Sequence, residues 1–160
     1  MELYRLEYLA NPHWEDRNKI IASMMIPNKK VIDLGCGAKN LLKFYKPSEY
    51  LGVDGISSSD MVVDLNSNFS LPTGWDYAVN SGILEFVVRP DLYLEKIKNI
   101  SQEYIFSWWR GSGWGRMPFN DIEDLISINY NIVEVREMGL VNKIYRCEKR
   151  LFNPVANNDV

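Results

Sequence analysis

Four short stretches place small or acidic residues where a ligand could use them. Asp33-Leu34-Gly35-Cys36-Gly37 couples a carboxylate to a G-x-G turn. Glycine lets a backbone turn tightly and come close to a bound molecule. Asp54-Gly55 ends the apolar run YLGVD, and a carboxylate so placed can accept both hydroxyls of a ribose. Asp64-Leu65 ends MVVDL, and Asn80-Ser81-Gly82 ends DYAVN. Taken singly, each has a bland reading as a tight turn, a helix cap or a turn aspartate. As a series at successive strand ends, they are poorly explained by chance. A pyrophosphate dinucleotide asks for G-x-G-x-x-G at a helix N-terminus, where backbone N–H groups meet the phosphates. Here Asn40 stands where the third glycine belongs, which disfavours a nicotinamide cofactor.

The elements that must position these residues are legible from periodicity. Trp14 to Met25 carries a helical stripe of Trp14, Ile20, Ile21, Met24 and Met25, stopped by Pro27 and Asn28. Strands are expected at Lys30–Leu34, Tyr50–Asp54, Met61–Leu65, Asp76–Asn80 and Glu103–Trp108. Asn40–Tyr45 allows at most a short helix before Pro47. Longer helices are expected over Pro90–Ile100 and Asn120–Ile128, the second with Asn120 or Asp121 as cap. Ile132–Glu137 and Asn142–Cys147, separated by Gly139, read as a closing hairpin. Strands alternating with helices predict a parallel sheet. Such sheets bind ligands at the carboxyl ends of their strands, where the four stretches lie.

The 160 residues predict one domain over residues 1–152, with a polar, fraying tail over 153–160. A net charge of −3 argues against a general nucleic-acid binder. Cys36 and Cys147 are the only cysteines, in neither a disulfide framework nor a C-x-x-C metal site. His13 is the only histidine, which rules out a His-rich metal centre. The charged opening MELYRLEYLANPHW lacks the apolar core of a signal peptide, and no run reaches the roughly 18 apolar residues of a membrane span. A soluble, cytoplasmic protein is the expectation.

The ordered series VIDLGCG, YLGVDG, MVVDLN and WDYAVNSGILEFV resembles the class I S-adenosylmethionine-dependent methyltransferases, from about Lys30 to Trp108. The resemblance implies an α/β, Rossmann-like methyltransferase fold. Its sheet would have seven strands, mostly parallel, with a C-terminal antiparallel hairpin. It implies S-adenosyl-L-methionine as cofactor and S-adenosyl-L-homocysteine as product. Gly35, Cys36 and Gly37 would pass under the methionine part, and Asp33 would orient that loop and the amino group. Asp54, with Gly55 beside it, would hold the ribose hydroxyls. Asp64 and Leu65 would flank the adenine, the carboxylate taking its amine. Asn80 and Ser81 would lie near the sulfonium and the methyl in flight. The sequence departs from the family twice. Lys39 stands where the loop usually has glycine, so its side chain must turn away from the cofactor or crowd it. GISSS is too short for a helix between the second and third strands, the mark of a trimmed member.

The acceptor side is less legible. Methyl transfer needs a nucleophile held in line with the methyl carbon, and a base for a hydroxyl or a protonated amine. His13 and Arg110 are weak catalytic candidates, His13 as base and Arg110 as a contact to an anionic or sugar-like acceptor. Arg110 belongs to the run WWRGSGWGRMP, Trp108 to Pro118, which reads as an aromatic lid or as a loop packed by its own tryptophans. An amino-methylating DNA enzyme would carry Asn/Asp-Pro-Pro-aromatic where Asn80-Ser81-Gly82-Ile83 stands, and a cytosine-C5 enzyme a Pro-Cys pair. A small-molecule acceptor, methylated on oxygen or nitrogen, is the expectation. The alternative is a catalytically silent partner or regulatory subunit of the same fold. The short chain leaves room for a second copy or a partner protein to complete the acceptor site.

Overall fold

The computed structural model describes residues 12–110, 118–140 and 142–150. The chain runs α1 (Pro12–Ser23), β1 (Lys30–Leu34), β2 (Glu49–Asp54), β3 (Met61–Val62), β4 (Trp75–Asn80), α2 (Pro90–Ile97), β5 (Ser101–Trp109), α3 (Phe119–Asn129), β6 (Tyr130–Glu137) and β7 (Asn142–Lys149). Short 3-10 turns at Asn40–Lys43 and Leu84–Phe86 follow β1 and β4.

One seven-stranded sheet has the order β3-β2-β1-β4-β5-β7-β6. β1 to β5 pair in parallel, while β7 lies antiparallel to both β5 and β6. Within the expected hairpin only β7 therefore runs against the rest, and β6 regains their direction at the edge. Alternation along the strands splits the interior into two layers. Ile32, Leu34, Ala78, Tyr104 and Phe106 face α2 and α3, where Tyr93, Leu94, Ile97, Ile122 and Ile126 are buried. Val31, Tyr77, Val79, Ile105 and Ile144 face the other way, toward Ile21, Met24 and Met25 of α1 and Leu41. Burying each of these large side chains contributes about 1.5–3 kcal/mol.

The expected elements are present with shifted ends. α1 begins two residues early, and it ends two residues early because Met24 and Met25 turn back to bond Ile21 and Ala22 carbonyls ahead of Pro27. α2 stops at Ile97 instead of Ile100. α3 starts at Phe119 behind Pro118, whose φ of −57° is already helical. Neither Asn120 nor Asp121 is the cap, and Asp121 lies inside the first turn. β3 ends at Val62, short of Leu65, because Asp64 folds into a turn of its own. The α1–β1 loop is stitched by two tyrosines. Tyr45 donates to the Ile26 carbonyl at 2.6 Å and accepts from Lys29 N at 3.1 Å. Tyr77 accepts from Ile26 N at 3.1 Å. These bonds fix the end of α1 against the sheet.

Candidate functional site

The carboxyl edge of β1 opens into the glycine loop. Gly35 and Gly37 have φ of 76° and 49°, the left-handed region that favours glycine. Gly35 N and Cys36 N both donate to the Val53 carbonyl, at 2.7 and 3.2 Å. A Cβ on Gly35 would stand 2.0 Å from Ile83 Cδ1, so the position admits no side chain. The Cys36 side chain points beneath the loop, toward Gly52. Burial, with Asp33 and Asp54 nearby, pushes its thiol up to about 12. Asp33 is 3% exposed and accepts a 2.8 Å hydrogen bond from the Tyr50 hydroxyl. Burial raises its carboxyl to about 6, against the Tyr50 bond and the Arg17 charge.

Lys39 has left-handed backbone, with φ 56° and ψ 36°, the region that favours glycine. Its side chain turns away from the loop and pairs with Asp60 at 2.5 Å. Asp60 also accepts Gly52 N at 2.8 Å. The β2–β3 connection contains no helix, as its length demanded. Ser59 Oγ ties it down through the carbonyls of Asp54, Ile56 and Met61.

Asp54 ends β2 nearly buried, and its Oδ2 accepts Gly37 N at 2.9 Å. The two strongest sequence signals, the G-x-G turn and the acidic strand end, are therefore joined directly. Gly55 is exposed, and a Cβ there would meet only the Val63 carbonyl, at 3.9 Å. Asp64 is exposed beyond β3, one carboxylate oxygen accepting Asn66 N at 2.9 Å, while Leu65 packs on the core.

At the end of β4, Asn80 is fully buried. Its Oδ1 accepts the Tyr93 hydroxyl, and its Nδ2 has no partner. Ser81 Oγ lies 3.4 Å from Asn18 Oδ1 of α1, and Gly82 N donates to Ser107 Oγ at 2.7 Å. A Cβ on Gly82 would stand 2.6 Å from Nη1 of Arg17. Arg17 therefore lies on this turn, with Trp14 stacked 5.7 Å from it. Arg17 is half-buried as a whole, yet its Nε is shielded and unpartnered. Burial lowers its pKa, while Glu85 and, less strongly, Asp33 hold the charge in place. Glu85 is 8% exposed. Its Oε1 accepts Trp109 N at 2.9 Å and its Oε2 is unpartnered. Burial pushes its carboxyl above the usual range, against its own backbone N–H, Arg17 and Trp109.

Sequence reasoning gave no site role to Arg17, Tyr50, Glu85 or Tyr93. Arg17 stood beside His13 and Trp14 ahead of the first strand, and Glu85 in the run ILEF after the fourth. Of the weak catalytic candidates, His13 and Arg110 are both exposed. Trp108 is core, and Trp109 is 45% exposed. Residues 111–117 of the tryptophan-glycine run, and the tail from 151, lie outside the described residues. Among the described residues no cluster of His, Cys, Asp and Glu could hold a metal ion, and no helix is long and apolar enough to cross a membrane.

No protein-family model matches the chain, and no curated protein matches it in sequence. Solved structures match it in shape. The chain is similar to a 1,6-didemethyltoxoflavin-N1-methyltransferase of Burkholderia thailandensis, solved with 1,6-didemethyltoxoflavin and S-adenosylhomocysteine; the TM-score is 0.71 at 12% identity, over 89% of this chain and 80% of that one. It is similar to the magnesium protoporphyrin IX methyltransferase of Synechocystis PCC 6803 with bound S-adenosylmethionine, at TM-score 0.63 and 12% identity, over 86% and 80% of the two chains. A complex of the Haloferax volcanii Trm112 methyltransferase activator with a candidate methyltransferase gives TM-score 0.69 at 11% identity, over 91% and 93%. The sheet order, the lone antiparallel β7 and the glycine turn after β1 agree with these likenesses. The fold of this chain is that of the class I S-adenosylmethionine-dependent methyltransferases.

Proposed function

We propose that this chain binds S-adenosyl-L-methionine and transfers its methyl group to a small-molecule acceptor, on oxygen or nitrogen, leaving S-adenosyl-L-homocysteine. The observation that carries this reading is the 2.9 Å bond from Gly37 N to Asp54 Oδ2. It sets a loop that accepts backbone approach beside a carboxylate suited to a ribose, at the sheet edge where α/β folds bind ligands. Three unpartnered buried atoms, on α1, at the end of β4 and in the turn after it, fit the same ligand. Arg17 Nε and Asn80 Nδ2 are donors with nothing to bond, and Glu85 Oε2 is an acceptor in the same position. Such groups cost about 1–3 kcal/mol each when left unsatisfied, so a ligand that meets them gains affinity.

Asp33 would hold the ammonium of the methionine part and Arg17 its carboxylate, over the backbone of Gly35, Cys36 and Gly37. Asp54, beside Gly55, would hold the ribose. Asp64 and Leu65 would flank the adenine, and Asn80 and Ser81 the reacting end. The bound cofactor supplies an electrophilic methyl on a sulfonium. The chain's own task is to hold the acceptor in line with that methyl and to exclude water. The expected walls of the acceptor side are Trp109 and Arg110, completed by a second copy or a partner protein.

Calorimetric titration with S-adenosylhomocysteine is the test. Wild type is expected to bind, and Asp54→Asn to bind at least tenfold more weakly, while its amide oxygen still accepts Gly37 N–H. A folded wild-type chain that does not bind would favour the silent-partner reading. Unchanged affinity in Asp54→Asn would remove Asp54 from the site.

A further inference from the structure

We infer that Glu85 is the counter-charge for the sulfonium of the methyl donor. The inference rests on the cofactor reading above and adds a residue and a selectivity to it. Glu85 sits in the 3-10 turn directly after β4, and Trp109 N from the end of β5 holds its Oε1. Its Oε2 is buried without a hydrogen-bond partner. Arg17 from α1 lies within charge reach of two carboxylates at these strand ends, Glu85 and, less strongly, Asp33 from β1. The methionine part of the donor also carries three charges, an ammonium, a carboxylate and a sulfonium. With the ammonium on Asp33 and the carboxylate on Arg17, the sulfonium and Glu85 remain.

The chemistry of the remaining pair matches. A sulfonium has no N–H or O–H to offer, so its partner must be an anion whose oxygen is not already claimed. Its methyl hydrogens are polarised and make only weak C–H···O contacts. A buried carboxylate oxygen with no donor facing it meets both conditions. Arg17 offsets Glu85 in the absence of ligand; a cofactor carboxylate that draws on Arg17 leaves the Glu85 charge to the sulfonium. When the methyl leaves, the sulfur keeps the bonding electron pair and becomes a neutral thioether, and the attraction is lost. That charge is already fading in the transition state. Glu85 therefore favours donor over product in binding, and does not accelerate the chemical step.

The experiment compares wild type with Glu85→Gln by calorimetry. The ligands are S-adenosylmethionine, S-adenosylhomocysteine and sinefungin, which carries an ammonium in place of the methylsulfonium. Gln keeps an oxygen for Trp109 N–H. Wild type is expected to bind both cations more tightly than the thioether. In Glu85→Gln that preference is expected to fall about tenfold, with S-adenosylhomocysteine affinity within about twofold of wild type. An unchanged preference, or equal losses for all three ligands, overturns the inference and leaves Glu85 a tether for β5. If Glu85→Gln does not fold, the wild-type comparison of sinefungin with S-adenosylhomocysteine decides, and equal affinities overturn the inference. Should none of the three bind to folded wild type, the cofactor reading itself fails. Binding without a charge preference defeats only the role of Glu85.

Discussion

Asp33 shows how a proposed binding residue can weigh against the fold that carries it. Its carboxyl is raised from 3.8 to about 6, chiefly by burial, so the folded chain holds that proton more tightly than the unfolded chain. The resulting penalty is absent below pH 3.8, grows through the interval to about 6 and is full above it. At neutral pH it is about 3 kcal/mol. Asp33→Asn, whose amide oxygen can still accept the Tyr50 hydroxyl, is expected to be more stable than wild type by up to that amount at neutral pH. The difference should vanish as the medium is acidified, and cofactor affinity should fall. Urea unfolding of both proteins across pH measures this. A variant no more stable than wild type at neutral pH would mean that existing contacts already satisfy the charge.

At the scale of elements, the helix-free β2–β3 connection is held by one carboxylate. Asp60 accepts Gly52 N and pairs with Lys39. It thus ties together the glycine loop, β2 and the shortened connection. Left-handed backbone costs a residue other than glycine about 1–2 kcal/mol, and a partly exposed ion pair returns about 0–1 kcal/mol. Lys39→Gly is therefore expected to leave stability within about 1 kcal/mol of wild type and to spare cofactor affinity. Asp60→Ala strands the Gly52 N–H and should cost about 1–3 kcal/mol. Denaturant midpoints and a titration of both variants with S-adenosylhomocysteine test the pair. Loss of binding in Lys39→Gly would mean that lysine does more than fill a glycine's place.

For the molecule as a whole, the two faces of the sheet are unequally covered. α2 and α3 share the larger core, whereas α1 is the one α-helix on its face among the described residues. Yet α1 carries Arg17 and Asn18 to the site. Ligand binding should therefore stabilise α1 more than the opposite layer. Hydrogen exchange with and without S-adenosylhomocysteine is expected to show the larger gain in protection over Pro12–Ser23, and little over α3. Equal gains on both faces would mean that α1 is not part of the binding surface.

The sequence by itself determined the alternation of strands and helices, the glycine turn, the acidic end of β2, the aspartate that follows β3 and the small residues after β4. These are local signals, since periodicity and turn chemistry act over a few neighbouring residues. The sheet order, the direction of β6 and the coverage of each face depend on contacts between distant segments, and only the tertiary structure decided them. The same holds for the charge set of the site. Asp33 was legible beside its glycines, but Arg17 reads as an ordinary helix arginine until packing sets it against Gly82. Glu85 reads as one acid in an apolar run until burial removes its solvent. Lys39 posed a problem in sequence, and Asp60, far enough along the chain that no local pattern links them, resolved it. Burial and charge pairing are properties of the folded chain, which is why the sequence pointed to Asn80 and Ser81 at the reacting end and did not disclose the parts of Arg17 and Glu85.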